Sequence, residues 1–137
     1  MARKLISEIL EEVAQVDSIE DKAEILRKNY NPTLCSLLKD VFDPNEVYDV
    51  EIPSYRENFE TAGYASNNLY VEQRRLYLFK STEKKVAPKR KSVLLAQVLE
   101  SIDAPDALVL INVINKDLSK YGITQEVVDQ AFPNLLP

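Results

Sequence analysis

The stretch Leu5-Ile6-Ser7-Glu8-Ile9-Leu10-Glu11-Glu12-Val13-Ala14-Gln15-Val16 decides the fold class. Its apolar residues Leu5, Ile6, Ile9, Leu10, Val13 and Val16 recur at helical spacing, with Glu8, Glu11 and Glu12 opposite. That period makes an amphipathic helix and not a strand. Outward from it, the same period returns almost everywhere. Asp17 or Ser18 caps a second helix, Ile19 to Lys28, which buries Ala23, Ile25 and Leu26. Asn31-Pro32, a cap followed by proline at the first helical position, opens a third with Leu34, Leu37, Leu38, Val41 and Phe42 inward. Asp43-Pro44 ends it. Asn67 or Asn68 caps a fourth helix to about Phe79, with Leu69, Leu76 and Phe79 inward and Arg74 and Arg75 exposed. Pro88 opens a fifth, whose core stripe reads Val93, Leu94, Val98, Leu99 and Ile102. Asp103-Ala104-Pro105 turns into a sixth, carrying Leu108, Leu110, Ile111, Val113 and Ile114. The loop Asp117 to Gly122 leads to Thr124, the cap of a last helix that runs to Ala131. Only residues 43–66 lack a clean period; they read as a long irregular connector with room for a short strand. No internal repeat is present, so the 137 residues form one compact all-α domain, 1–137, of six to seven helices.

Composition removes most enzyme chemistry. There is no histidine, so neither a Ser-His-Asp triad nor an imidazole-bound metal can be built. The only glycines, Gly63 and Gly122, cannot make a phosphate-cradling GxxxxGK[ST] or GxGxxG loop. Cys35 stands alone among Leu34, Leu37 and Leu38 and reads as a small core residue rather than a nucleophile. The acid pairs Asp40/Asp43 and Asp103/Asp106 lie at helix ends, where carboxylates cap or stay solvated, so a paired-carboxylate hydrolase has little support. The longest apolar run, Ala107 to Val113, is too short for a bilayer, and acids follow Arg3 and Lys4 too closely for a secretory signal.

The net charge of −5 is unevenly spread. Residues 1–60 carry seven Lys/Arg against fourteen Asp/Glu; residues 61–137 carry ten against eight. Lys80, Lys84, Lys85, Lys89, Arg90 and Lys91 face only Glu83 within their own stretch. Such a basic island can bind a polyanion locally on an acidic body.

Both ends of the chain carry a resemblance. Leu5-Ile6-Ser7-Glu8-Ile9-Leu10 with Ile25-Leu26-Arg27-Lys28-Asn29 opens it. Ile114-Asn115-Lys116-Asp117-Leu118, Gly122-Ile123-Thr124, Val128 and Ala131-Phe132-Pro133-Asn134-Leu135-Leu136 close it. In that order they resemble the helical DNA-binding domain at the start of T-even-phage ATP-dependent DNA ligases. The chain also looks like a group of small proteins from tailed phages, notably those of marine cyanobacteria. The resemblance implies a ligase-type DNA-binding fold, double-stranded DNA (nicked or intact) as partner, and the cytoplasm of an infected bacterium as its place. Ligase chemistry needs Lys-x-Asp-Gly, whereas Gly63 follows Ala62 and Gly122 follows Tyr121. The expectation is therefore a non-catalytic domain with no cofactor and no metal.

The expected phosphate contacts are Lys84, Lys85, Lys89, Arg90 and Lys91, supported by Arg74, Arg75 and Lys120. Gly122, free to take positive φ, and Thr124, a cap, would aim a helix end and its amides at a phosphate. A rival expectation is a protein-interaction adapter or DNA mimic. Its basis is the acidic amino-terminal half and Tyr48, Tyr55, Tyr64, Tyr70 and Tyr77. Its partner would be a phage or host replication, transcription or defence protein.

Overall fold

The computed structural model describes residues 4–57 and 67–136. Among them are seven α-helices and no strand: α1 (Ile6–Ala14), α2 (Ile19–Lys28), α3 (Pro32–Phe42), α4 (Leu69–Glu72), α5 (Pro88–Ser101), α6 (Ala104–Ile114) and α7 (Gln125–Ala131). Two 3₁₀ segments, Gln73–Phe79 and Ser119–Tyr121, join them. The caps settle the open alternatives: Ser18 accepts from Asp21, Asn31 from Leu34 and Asn68 from Val71. One hydrophobic core runs through all seven helices.

α1 packs against α2, α6 and the 3₁₀ turn Ser119–Tyr121, and α6 in turn packs against α3 and α5. Nine residues are too few for a helix to be stable alone, and Leu5 at the cap position has no side-chain acceptor. Side chains complete both ends, one of them from α1 itself and two from other helices. Glu8 reaches back to the Leu5 amide at 2.8 Å. The Ser7 amide donates to Asp106 Oδ1 of α6 at 2.9 Å, across 99 residues of sequence. At the other end Lys22 of α2 donates to the Val13 carbonyl at 3.1 Å. An acid at the amino end and a cation at the carboxyl end both complement the helix dipole. Gly122 packs on the same lysine. Its φ is +69°, and a Cβ there would stand 2.8 Å from Lys22 Nζ.

The fourth helix departs from expectation. After one α-turn the chain continues as seven 3₁₀ residues, a long run for that geometry. The three-residue period explains it, because Gln73, Leu76 and Phe79 then share one side. Leu76 and Phe79 enter the core, and Gln73 donates to Ser36 Oγ of α3 at 2.9 Å. Helix α5 is rotated from the expected stripe: Val93 is 48% exposed, whereas Lys91, Leu95, Val98, Leu99 and Ile102 are buried. On α6 the same correction applies to Leu108, which is exposed while Val109 is buried.

The four carboxylates read as capping or solvated acids are all buried. The connector's described part, residues 43–57, forms no strand and makes a single antiparallel bridge, Tyr48 to Lys80. Its remainder, through residue 66, lies outside the described residues, as do Gly63 and Tyr64. Among the described residues no helix is long and apolar enough to cross a membrane.

Two outcomes follow. Burial raises the Asp106 carboxyl above the ordinary aspartate range, with Asp103 and Glu8 adding to it. The folded chain then holds that proton more tightly than the unfolded one, so this contribution to stability falls as pH rises through the carboxylate range and beyond. Asp106→Asn keeps an acceptor for Ser7 and removes the titration. Urea midpoints from pH 4 to 7 should show the wild type losing stability relative to the variant as pH rises. Gly122→Ala should cost about 1–3 kcal/mol, from the left-handed backbone and the Lys22 contact, seen as a lower urea midpoint at unchanged slope.

Candidate nucleic-acid interface

The basic island divides into residues held by the fold and residues left to solvent. Lys80, which follows the 3₁₀ segment, is held. Its ammonium lies 2.9 Å from Asp40 Oδ1 and 2.9 Å from Glu46 Oε2, and 5.6 Å from the centre of the Tyr48 ring. Tyr48 donates to the other Asp40 oxygen at 2.6 Å. Burial and the neighbouring Asp40 carboxylate push the Tyr48 hydroxyl far above its ordinary value. The backbone bonds Asp49 N–H to Phe79 O and Ser81 N–H to Val47 O flank the pair. Half-buried, this cluster ties α3, the connector and the 3₁₀ segment together.

Lys91 is the clear correction among the expected contacts. It is 3% exposed, and its ammonium donates to the Lys80 carbonyl at 3.0 Å. The helical register puts it there, because Lys91, Leu95, Val98 and Ile102 fall on one face of α5 at spacings of four, three and four. A phosphate cannot reach it.

Lys84, Lys85, Lys89 and Arg90 are exposed together. The first two stand on the loop before α5 and the others in its first turn, behind Ala87 and Pro88. That turn breaks the usual rules of a helix start. It has no side-chain cap and no acidic residue, and it places cations where the dipole is already positive. Each such cation costs roughly 0.3–1 kcal/mol in isolation. Glu83, the only acid in the stretch, accepts the Lys85 amide at 2.9 Å within the loop.

The supporting residues are placed less favourably. Arg74 is exposed on the 3₁₀ segment that packs against α5. Arg75 is also exposed but is drawn to the buried Glu72 carboxylate at 3.5 Å. It shares a hollow with Gln97 and Ser101, about 10 Å further along α5 than Arg90. Lys120 stands 5.7 Å from the centre of the Tyr121 ring, in a depression that Glu11 and Glu57 also line. Two carboxylates there oppose a phosphate.

Gly122 and Thr124 form a tight turn in which three backbone donors already have partners within the chain. The Gly122 amide bonds Ser119 O at 3.0 Å, Ile123 bonds Leu118 O at 3.3 Å, and Val127 bonds Thr124 Oγ1 at 3.3 Å. Glu126 occupies the first turn of α7. Hydrogen bonds from the Ser119 side chain and from its amide, the latter at 3.0 Å, hold the Asp117 carboxyl below the ordinary range, and Leu118 is buried.

Cys35 is half-buried rather than part of the core, and burial pushes its thiol up, away from the thiolate a nucleophile needs. Among the described residues no group of three His, Cys, Asp or Glu side chains could hold a metal ion. Asp40 and Asp106 serve Lys80 and Ser7, while Asp43 accepts the Asn45 amide at 2.9 Å. What the surface can do is present four cations, fixed on one segment, to an anion.

Comparison with curated proteins returns no match. A family model does match, over residues 9–120, a span that includes every exposed cation described above. The chain belongs to that family, DUF6433, a family of unknown function.

Proposed function

We propose that this protein is a non-catalytic domain that binds double-stranded DNA through its phosphates, without reading sequence. It would act as an accessory to phage DNA replication or repair in the cytoplasm of the infected bacterium. The observation that carries the reading is the start of α5. Lys84 and Lys85 on the preceding loop and Lys89 and Arg90 in the first turn are all exposed at a helix start that lacks both a capping side chain and an acid. A docked phosphate supplies the missing negative charge and relieves the repulsion. Arg74 is a further exposed cation, on the 3₁₀ segment that packs against α5. Contacts of this kind set position and orientation and carry no base identity. The ligase resemblance at both ends of the chain supports the choice of DNA over other polyanions.

A second reading, a protein-interaction adapter, has one observation behind it. Tyr30 is 64% exposed and lies 6.0 Å from the Phe132 ring at the rim of an apolar groove that Cys35, Pro133 and Leu135 line. Exposed aromatics beside apolar grooves are common interface anchors.

Binding of labelled intact, nicked and single-stranded DNA across a salt series separates the two. Four phosphate contacts give a log–log salt slope of about −3.6, so duplex affinity should fall roughly a hundredfold between 50 and 200 mM salt. Reversing the charge of Lys84, Lys85, Lys89 and Arg90 together should abolish binding and leave the helical circular dichroism intact. A salt-independent affinity, or no duplex binding at low salt, would sink the DNA reading. For the adapter, a pull-down after nuclease treatment should recover one stoichiometric protein that Tyr30→Ser releases; loss of every partner on nuclease treatment counts against it.

A further inference from the structure

We infer that Lys91 is the positioning residue of this interface: its buried ammonium staples the base of the cationic loop so that four other cations meet DNA already in place. The inference rests on the DNA-binding reading and concerns how that surface is held.

The loop Ser81–Ala87 leaves Lys80 and returns to the core at Lys91. Lys91 Nζ donates to the Lys80 carbonyl at 3.0 Å, closing a ring of twelve residues, 80–91. The same carbonyl accepts the Glu83 amide at 3.0 Å, which turns the chain. Glu83 then accepts the Lys85 amide, so the turn continues into the residues that carry the charge. Lys80 itself cannot drift, because Asp40 and Glu46 hold its ammonium and the connector pairs with its backbone on both sides. On the helix side Ser92 Oγ donates to Glu51 O at 2.9 Å, anchoring the start of α5 to the same connector. Both feet of the loop therefore stand on residues 46–51, and Lys91 joins one foot to the other.

Preorganisation of this kind acts on affinity and leaves the count of phosphate contacts unchanged. A cation that touches phosphate contributes about one unit of salt slope, whereas a staple contributes none. The two roles therefore differ in a measurable way.

The test compares Lys91→Met, Lys91→Arg and Lys84→Gln on an intact 20-base-pair duplex across 50–200 mM salt. Lys91→Met should bind about tenfold more weakly with the wild-type slope, and Lys91→Arg, which keeps a buried cation and its donors, should recover part of the loss. Lys84→Gln should instead lower the slope by about one unit. In the wild type, hydrogen exchange should show the Glu83 and Lys85 amides protected, a reading that needs no variant to fold.

Three results overturn the inference: a slope reduced by one in Lys91→Met, an unchanged affinity in that variant, or free exchange of the Glu83 amide in the wild type. Absence of duplex binding by the wild type at 50 mM salt overturns the DNA reading first, before any substitution is made. Protected amides in that same sample would mark the failure as one of partner and not of loop structure.

Discussion

Every α-helix ends with carbonyl groups that have no partner inside the helix. The usual remedy is a glycine just past the end, in a left-handed turn. With two glycines in 137 residues, this protein has to solve the problem otherwise. At the end of α6 Lys116 takes the left-handed turn itself, at φ +55°, and at several other ends cations arrive from other elements. Lys22 of α2 takes the Val13 carbonyl of α1, and Lys116 takes the Asp43 carbonyl past the end of α3 at 2.8 Å. Arg27 takes the Gln130 carbonyl of α7 at 3.1 Å, and Lys91 takes the carbonyl that follows the long 3₁₀ segment. Each cation also meets the negative end of a helix dipole. Because donor and acceptor sit on different elements, each cap is a tertiary contact, and capping and packing become one requirement. Gly122 shows the coupling from the other side: the one left-handed glycine of the described residues packs on the lysine that finishes α1.

This requirement sorts the basic residues. Lys22, Lys91 and Lys116 are buried or half-buried and structural, and Lys80 is held by two carboxylates. Removing such cations leaves a local chemistry quite different from the raw charge count. The basic island, six cations in twelve residues, presents four of them outward. The other two brace the loop that carries the four.

Much of the fold was legible because helical periodicity is a local property. The capping Ser18, Asn31 and Asn68, the prolines at the start of α3 and α5, and the apolar faces of α1 and α3 all follow from near neighbours in sequence. The errors fall where a tertiary partner decides. Reading Val93 in place of Leu95 as the core residue of α5 turned the helix enough to put Lys91 outside. Had Leu95 been read inward, Lys91 would have followed four residues earlier on the same face. The burial of Asp106 was not legible, because its partner, Ser7, lies 99 residues away. The 3₁₀ geometry of Gln73–Phe79 depends on Gln73 reaching Ser36, again a contact that no local pattern announces. For the candidate site, the charge run was readable and its division into inner and outer cations was not.

The acidity of the whole protein then becomes compatible with a local basic surface. Helix α6 packs against both α1 and α5, which make at most slight contact with each other. At physiological salt the field of an exposed charge decays over about 8 Å. On the proposed reading, a phosphate at Lys89 and Arg90 would therefore feel those adjoining cations most strongly. At longer range the sign reverses, and the acidic faces of α1 and α2 repel a polyanion that approaches them. On the proposed reading, net acidity would discourage approach by way of α1 and α2. A duplex would be admitted at the start of α5, where the lysine-braced loop stands on residues 46–51.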